Sequence, residues 1–149
     1  MLCERILGKV TEQDTTVDWV EVPALQTTRR ALKLVSQKGH SVRILLPRGV
    51  RLRHLDLISV NPRIAVRVRP IEVLVFYPSG VEQALRLAAE IGNLHLPMEF
   101  SGDCLLTPDD GPVRRIADEL DIRYVVDKRI FHPDLRTSRM MDWVLRINK

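Results

Sequence analysis

Glu72-Val73-Leu74-Val75-Phe76-Tyr77-Pro78-Ser79-Gly80-Val81-Glu82 is the stretch on which the reading of this 149-residue chain turns. Within the strand expected from Glu72 to Tyr77, Val73-Leu74-Val75-Phe76 is a continuous apolar run without alternation, as expected of a central strand covered on both faces. Ser79 and Glu82 then have capping-box spacing, the hydroxyl accepting from the backbone while the carboxylate reaches back. A helix is expected next, because Val81, Ala84, Leu85, Ala88 and Ile91 recur at i, i+3, i+4, i+7 and i+10 and make one apolar stripe. Gly92 and Asn93, which tolerate left-handed backbone, are expected to close it, and Pro97 prevents its resumption.

Working outward toward the C-terminus, residues 96–100 and 104–107 read as short strands around a Ser101-Gly102-Asp103 turn. Asp109, Asp110, Gly111 and Pro112 open a second helix, with the two aspartates as N-caps and a stripe of Val113, Ile116, Ala117 and Leu120. Residues 123–126 close the unit as a strand. The order β-α-β-β-α-β is that of the split β-α-β or ferredoxin-like arrangement.

Before Pro70 the period is different. Short alternating runs at 17–22, 32–35, 42–46, 57–60 and 64–68, separated by turns such as Lys38-Gly39 and Asn61-Pro62, describe a β-rich module. Val42, Ile44 and Leu46 share one face. Ile64, Val66 and Val68 enter a core, while Ala65, Arg67 and Arg69 are expected on a water-facing side. The fold class is therefore α+β: a β-rich N-terminal domain over 1–70, a ferredoxin-like domain over 71–136, and a tail over 137–149. In the tail Met140, Met141, Val144 and Ile147 suit one face of a short helix.

Composition limits what such a chain does. A hydrophobic content of 45% supports a real core, and no run approaches the roughly 20 apolar residues of a membrane span. A cytoplasmic protein without a membrane partner is expected. Cys3 and Cys104 lie far apart with no Cys-x-x-Cys spacing, so each reads as a packed free thiol. Basic residues outnumber acidic ones 23 to 19, with arginines concentrated in the first half. Such clustering suits an acidic protein partner, a phosphate backbone or a solvated sheet face. No Ser/His/Asp elbow, Gly-rich phosphate loop or paired catalytic carboxylates are evident, so the chain does not read as an enzyme.

The histidine set in the most distinctive context is His95, in Gly92-Asn93-Leu94-His95-Leu96-Pro97. By itself it reads first as an ordinary helix-end residue, whose charge suits the negative end of the dipole. An imidazole on a tight turn is also a ligand for nickel, copper or zinc, although one imidazole is far short of the donors such ions need. A second copy across a two-fold axis would double it. His40 and His54 fall in loops without a second ligand at i+2 or i+4.

The Gly92-Asn93-Leu94-His95 turn resembles the Gly-Asn-x-His turn of the urease accessory metallochaperones, the UreE family. The similarity extends in layout over most of the chain and, more loosely, to Phe131-His132-Pro133-Asp134. It implies a homodimer carrying Ni(II) between paired His95 residues, with Zn(II) or Cu(II) as further ions taken up in vitro. It also implies His132 as a secondary ligand on a mobile segment, and a first domain that docks protein partners. Urease apoprotein and its accessory GTPase complex are the implied partners. Many relatives end in a histidine-rich tail, whereas residues 137–149 here hold no histidine, and Asp109 and Asp110 stand where some carry histidines. Two other readings compete: an RNA-binding ferredoxin-like module with a basic face, and a metal-independent chaperone or adaptor. The former lacks the aromatic strand motif of RNA-recognition domains, which argues against a nucleic-acid partner.

Overall fold

The computed structural model describes residues 1–134, so the tail and its expected helix lie outside the described residues. The protein is α+β and β-rich, and its chain contacts divide it into Met1–Arg69 and Pro70–Lys149.

The first unit contains strands β1 (Leu2–Cys3), β2 (Gly8–Lys9), β3 (Asp18–Val22), β4 (Ala31–Val35), β5 (Ser41–Leu45), β6 (Asp56–Val60) and β7 (Arg63–Val68). They form a three-stranded sheet in the order β1-β5-β4 and a four-stranded sheet in the order β2-β6-β7-β3. Alternation along β5 does what the pattern requires: Val42 and Ile44 are buried, with Leu46 just beyond, while Ser41, Arg43 and Leu45 are exposed. The short strands β1 and β2 carry too few residues to show a period. The parallel pairing of β3 with β7 likewise has no local signal, because its partners are some 46 positions apart.

The far side of β7 departs from expectation. Ala65 is fully buried in a satellite cluster with Val10, Val17, Trp19 and Leu57, and the Arg67 guanidinium lies 4.2 Å from the centroid of the Trp19 ring. Arg63 pairs with Asp14 at 3.0 Å and Arg69 with Glu21. This face is a second packed layer capped by paired arginines. The alternation was right in period but gave no sign of the loop over residues 10–17 that covers it.

The second unit runs β8 (Ile71–Tyr77), α1 (Val81–Asn93), β9 (Glu99–Ser101), β10 (Cys104–Pro108), α2 (Gly111–Glu119) and β11 (Arg123–Arg129). Its sheet order is β11-β8-β10-β9, every neighbouring pair antiparallel. Leu74, Phe76 and Leu105 pack with Ala84, Leu87, Ala88 and Ile91 of α1 and Val113 and Ala117 of α2 in one core. Leu87, not Leu85, belongs to the buried stripe, and Leu85 is 41% exposed. Positions 84, 87, 88 and 91 make one helical face, since 87 lies three residues after 84 and four before 91.

The capping box does not form. Gly80 is the N-cap of α1 and makes no side-chain cap; Gln83 Oε1 instead accepts from Ser79 N–H and Oγ–H, each at 2.9 Å, while Glu82 pairs with Arg86 at 3.0 Å. Glu82 is thus spent one turn forward on the helix surface. No helix among the described residues is long and apolar enough to cross a membrane.

Leu87→Ala is expected to destabilise the second unit by about 2–5 kcal/mol, and Leu85→Ala by less than about 1 kcal/mol. Urea denaturation of the two variants checks this; equal losses would return Leu85 to the core stripe.

Candidate functional site

The end of α1 is where local sequence and packing disagree most. The helix runs through both Gly92 and Asn93, and the left-handed residue is His95, at φ 55°. His95 N–H donates to Gly92 O at 3.0 Å and Leu96 N–H to Ile91 O at 3.4 Å, the paired bonds of a Schellman closure. In that closure the residue after the left-handed position makes an apolar contact back to the helix. A stop at Gly92 would offer Asn93 for that contact, whereas a stop at His95 offers Leu96, which packs on the core cluster containing Ile91. Burial of the leucine outweighs the conformational preference of the glycine. Helix α2 closes by the same device, with Asp121 at φ 55° and Ile122 N–H bonded to Ala117 O at 2.9 Å; Ile122 is buried.

His95 therefore stands exposed on a backbone conformation that costs a non-glycine residue roughly 1–2 kcal/mol. Its ring makes no hydrogen bond or ion pair with the described residues. Downstream, Pro97 O accepts from the buried Thr107 hydroxyl at 2.9 Å, which ties the turn to β10. The residues given to this closure explain why β9 starts at Glu99 and not at 96.

His132 follows β11 in residues 131–134, which lie along β9, the edge strand of the sheet. His132 N–H donates to Glu99 Oε2 at 3.2 Å, Phe100 N–H donates to Asp134 Oδ2 at 3.1 Å, and Asp134 bridges Met98. Phe131 is fully buried and His132 half-buried. These bonds fasten the segment to the strand that leaves the His95 turn.

The other two histidines are engaged within the first unit. His54 Nδ1 accepts from Val68 N–H at 3.1 Å and its Nε2 meets Glu12 Oε1, which places the ring proton on Nε2. His40 Nδ1 lies 2.8 Å from Asp18 Oδ2 and 3.4 Å from Ser36 Oγ. Serine, histidine and aspartate meet here, but both oxygens address the same ring nitrogen, so the arrangement lacks the relay geometry of a hydrolytic triad. Burial alone would raise the Asp18 carboxyl, yet hydrogen bonds from Ser36, His40 and Lys38 N–H outweigh it and hold the group below the usual carboxylate range.

Asp110 is the N-cap of α2, accepting from Val113 N–H at 3.3 Å. Asp109 is not a cap. It receives Nε and Nη2 of Arg114 at 2.8 and 2.7 Å, and this bidentate pair holds its carboxyl below the ordinary range. Both cysteines are free thiols pushed up by burial. Among the described residues no three His, Cys, Asp or Glu side chains converge as a metal cluster within one chain. Sequence reasoning missed the role of His95 in closing the helix; the signal was the Ile91-to-Leu96 apolar spacing.

The family described as UreE urease accessory protein, N-terminal domain, matches residues 3–69. The urease accessory protein UreE of Flavobacterium johnsoniae is 33% identical over 119 residues, covering 76% of this chain and 72% of that protein. That of Actinobacillus pleuropneumoniae is 36% identical over 109 residues, 71% of this chain and 57% of the relative, so the match spans little more than half that protein's length. A UreE from Lysinibacillus sphaericus is 24% identical over 137 residues, with 88% and 93% covered. These matches define the class first: an accessory protein and not an enzyme. The chain belongs to the UreE family of urease accessory proteins.

Two outcomes follow from the geometry. Gly92→Ala is expected to stabilise the fold by up to about 1 kcal/mol, since Gly92 is helical and a Cβ there meets open space; His95→Gly should gain a similar amount by relieving the left-handed backbone. Chemical denaturation decides, and destabilisation by Gly92→Ala would mean that the glycine is the true stop. For Asp18, a carboxyl lowered in the folded state contributes stability above its unfolded value of about 3.9 and loses it as pH falls through the lower folded value. Asp18→Asn should thus be less stable at neutral pH and decline less steeply below about pH 4, as read from urea midpoints across pH; an unchanged acid limb would refute it.

Proposed function

We propose that this protein is a nickel metallochaperone: a cytoplasmic homodimer that carries Ni(II) between the His95 residues of its two copies and gives it up during urease maturation. The ion is cargo. The observation that carries the reading is the placement of His95, which is exposed, set on a left-handed backbone and uncommitted to the described residues, while His40 and His54 are engaged locally. Sparse ligation suits a carrier, because few bonds must break on transfer. A single chain brings no ligand cluster together among its described residues, and symmetry supplies the second imidazole.

Family membership and topology support the remaining parts of the reading. The second unit, with its β-α-β-β-α-β order and antiparallel sheet, is the ferredoxin-like module that dimerises. His132 is a secondary ligand, carried on the segment fastened to β9. The first unit docks the maturation partners, urease apoprotein and its accessory GTPase complex. Zn(II) and Cu(II) are expected to compete for the site in vitro, since imidazole suits both.

Calorimetric titration with nickel, run alongside light scattering, tests this. The dimer should bind about one Ni(II) tightly, with weaker uptake beyond it. His95→Ala and His95→Gly should both abolish the tight phase, although the glycine variant is the more stable protein; His40→Ala and His54→Ala should retain it, and His132→Ala should weaken it. Binding should fade toward about pH 5.5, because only the unprotonated imidazole ligates. Undiminished tight binding by the His95 variants, or a lasting monomer with nickel present, would refute the mechanism.

A further inference from the structure

We infer that the outer face of the three-stranded sheet in the first unit is a docking surface for an acidic protein segment bearing aliphatic side chains. The unit carries 13 basic against 6 acidic side chains. Five of the six acids are consumed within it: Asp56 by Lys9 at 2.7 Å, Asp14 by Arg63, Asp18 by His40, Glu21 by Arg69, and Glu12 by His54 and Arg67. The cations neutralised in this way sit on the four-stranded sheet or beside it, at Lys9 on β2, Arg63 and Arg67 on β7, and Arg69 just after. Among the described residues no ion pair involves Arg29, Arg30, Lys33, Arg43 or Arg48. All five are exposed and lie on β4, on β5 or in the segments that adjoin them.

Strand register brings part of this charge onto one surface. Arg43 of β5 is the partner of Lys33 on β4 and of Leu2 on β1, and Leu45 is the partner of Ala31. Because neighbours across a ladder share a face, Leu2, Arg43 and Lys33 form one row, with Leu45 and Ala31 in the next row on that side. They line a depression of about 210 Å³ in which Leu2 and Leu45 remain 54% and 45% exposed. Two cations beside a partly apolar hollow fit a carboxylate next to a leucine-sized side chain. None of these face residues is aromatic, so a base-stacking platform for single-stranded RNA is lacking. The paired charges on the other sheet offer such a partner little attraction, since their field is locally cancelled.

This deepens the docking role proposed for the first unit, and it is independent of the metal. The test uses the metal-free 149-residue chain, so its failure leaves the nickel reading standing. Fluorescence anisotropy is measured with three labelled probes: a short Asp/Glu-rich peptide containing two leucines, the same peptide with serines for leucines, and a short oligouridylate. The leucine-bearing peptide should bind best and weaken with added salt. The double variant Lys33→Glu/Arg43→Glu should lower its affinity by roughly tenfold or more, Leu45→Ser by several-fold, and the control Arg115→Glu on the second unit by less than about twofold. All these side chains are exposed, so thermal melts of the variants should overlay that of the parent. Absence of peptide binding, affinity untouched by the double reversal, or tighter binding of the oligouridylate would each overturn the inference; the last would make the face a nucleic-acid surface.

Discussion

The hydrogen bond from Leu96 N–H to Ile91 O, and the apolar contact that accompanies it, set much of the second unit. They decide that α1 passes through Gly92 and Asn93, that a histidine takes the left-handed position, and that the chain leaves the turn with Leu96 against the core. Pro97 and Thr107 then anchor the turn to β10, and β9 begins only at Glu99. Residues 131–134 return along that edge strand. One helix closure thus links the helix, the hairpin and the end of the last strand.

Strain in a protein is most informative where an unstrained alternative was available. Here a glycine lies three residues upstream of the left-handed position and is left in the helix, while a histidine adopts the costly backbone. Asp121 at the end of α2 performs the same task with a residue type that tolerates this conformation more readily. The closure explains why some residue must be left-handed at position 95. It does not require an imidazole there, and that surplus supports the reading of His95 as a ligand presented at the surface.

The first unit separates its charge by sheet. Acidic side chains are spent neutralising one sheet and its flanks, while the other keeps Lys33 and Arg43 exposed beside a partly apolar hollow. The overall excess of basic residues conceals this. A net charge says little about binding until one knows which cations have been cancelled by neighbours brought close in three dimensions.

What could be read along the chain was whatever depends on near neighbours. The apolar run of β8, the alternation of β5, the glycine turn at 102 and the Asp110 cap of α2 all act over a few residues, and each is found close to where the pattern put it. The family resemblance of the His95 turn was legible for the same reason. Only the tertiary structure decided the rest: the exact stop of α1, the choice of Leu87 over Leu85, the use of Gln83 in place of Glu82, and the burial of Ala65 beneath Trp19 and its neighbours. Each is a competition between a local preference and a contact made at longer range. Burying a leucine or filling a core face is worth about 1.5–3 kcal/mol, against roughly 1 kcal/mol for a glycine's preference or a cap, so the distant contact prevails.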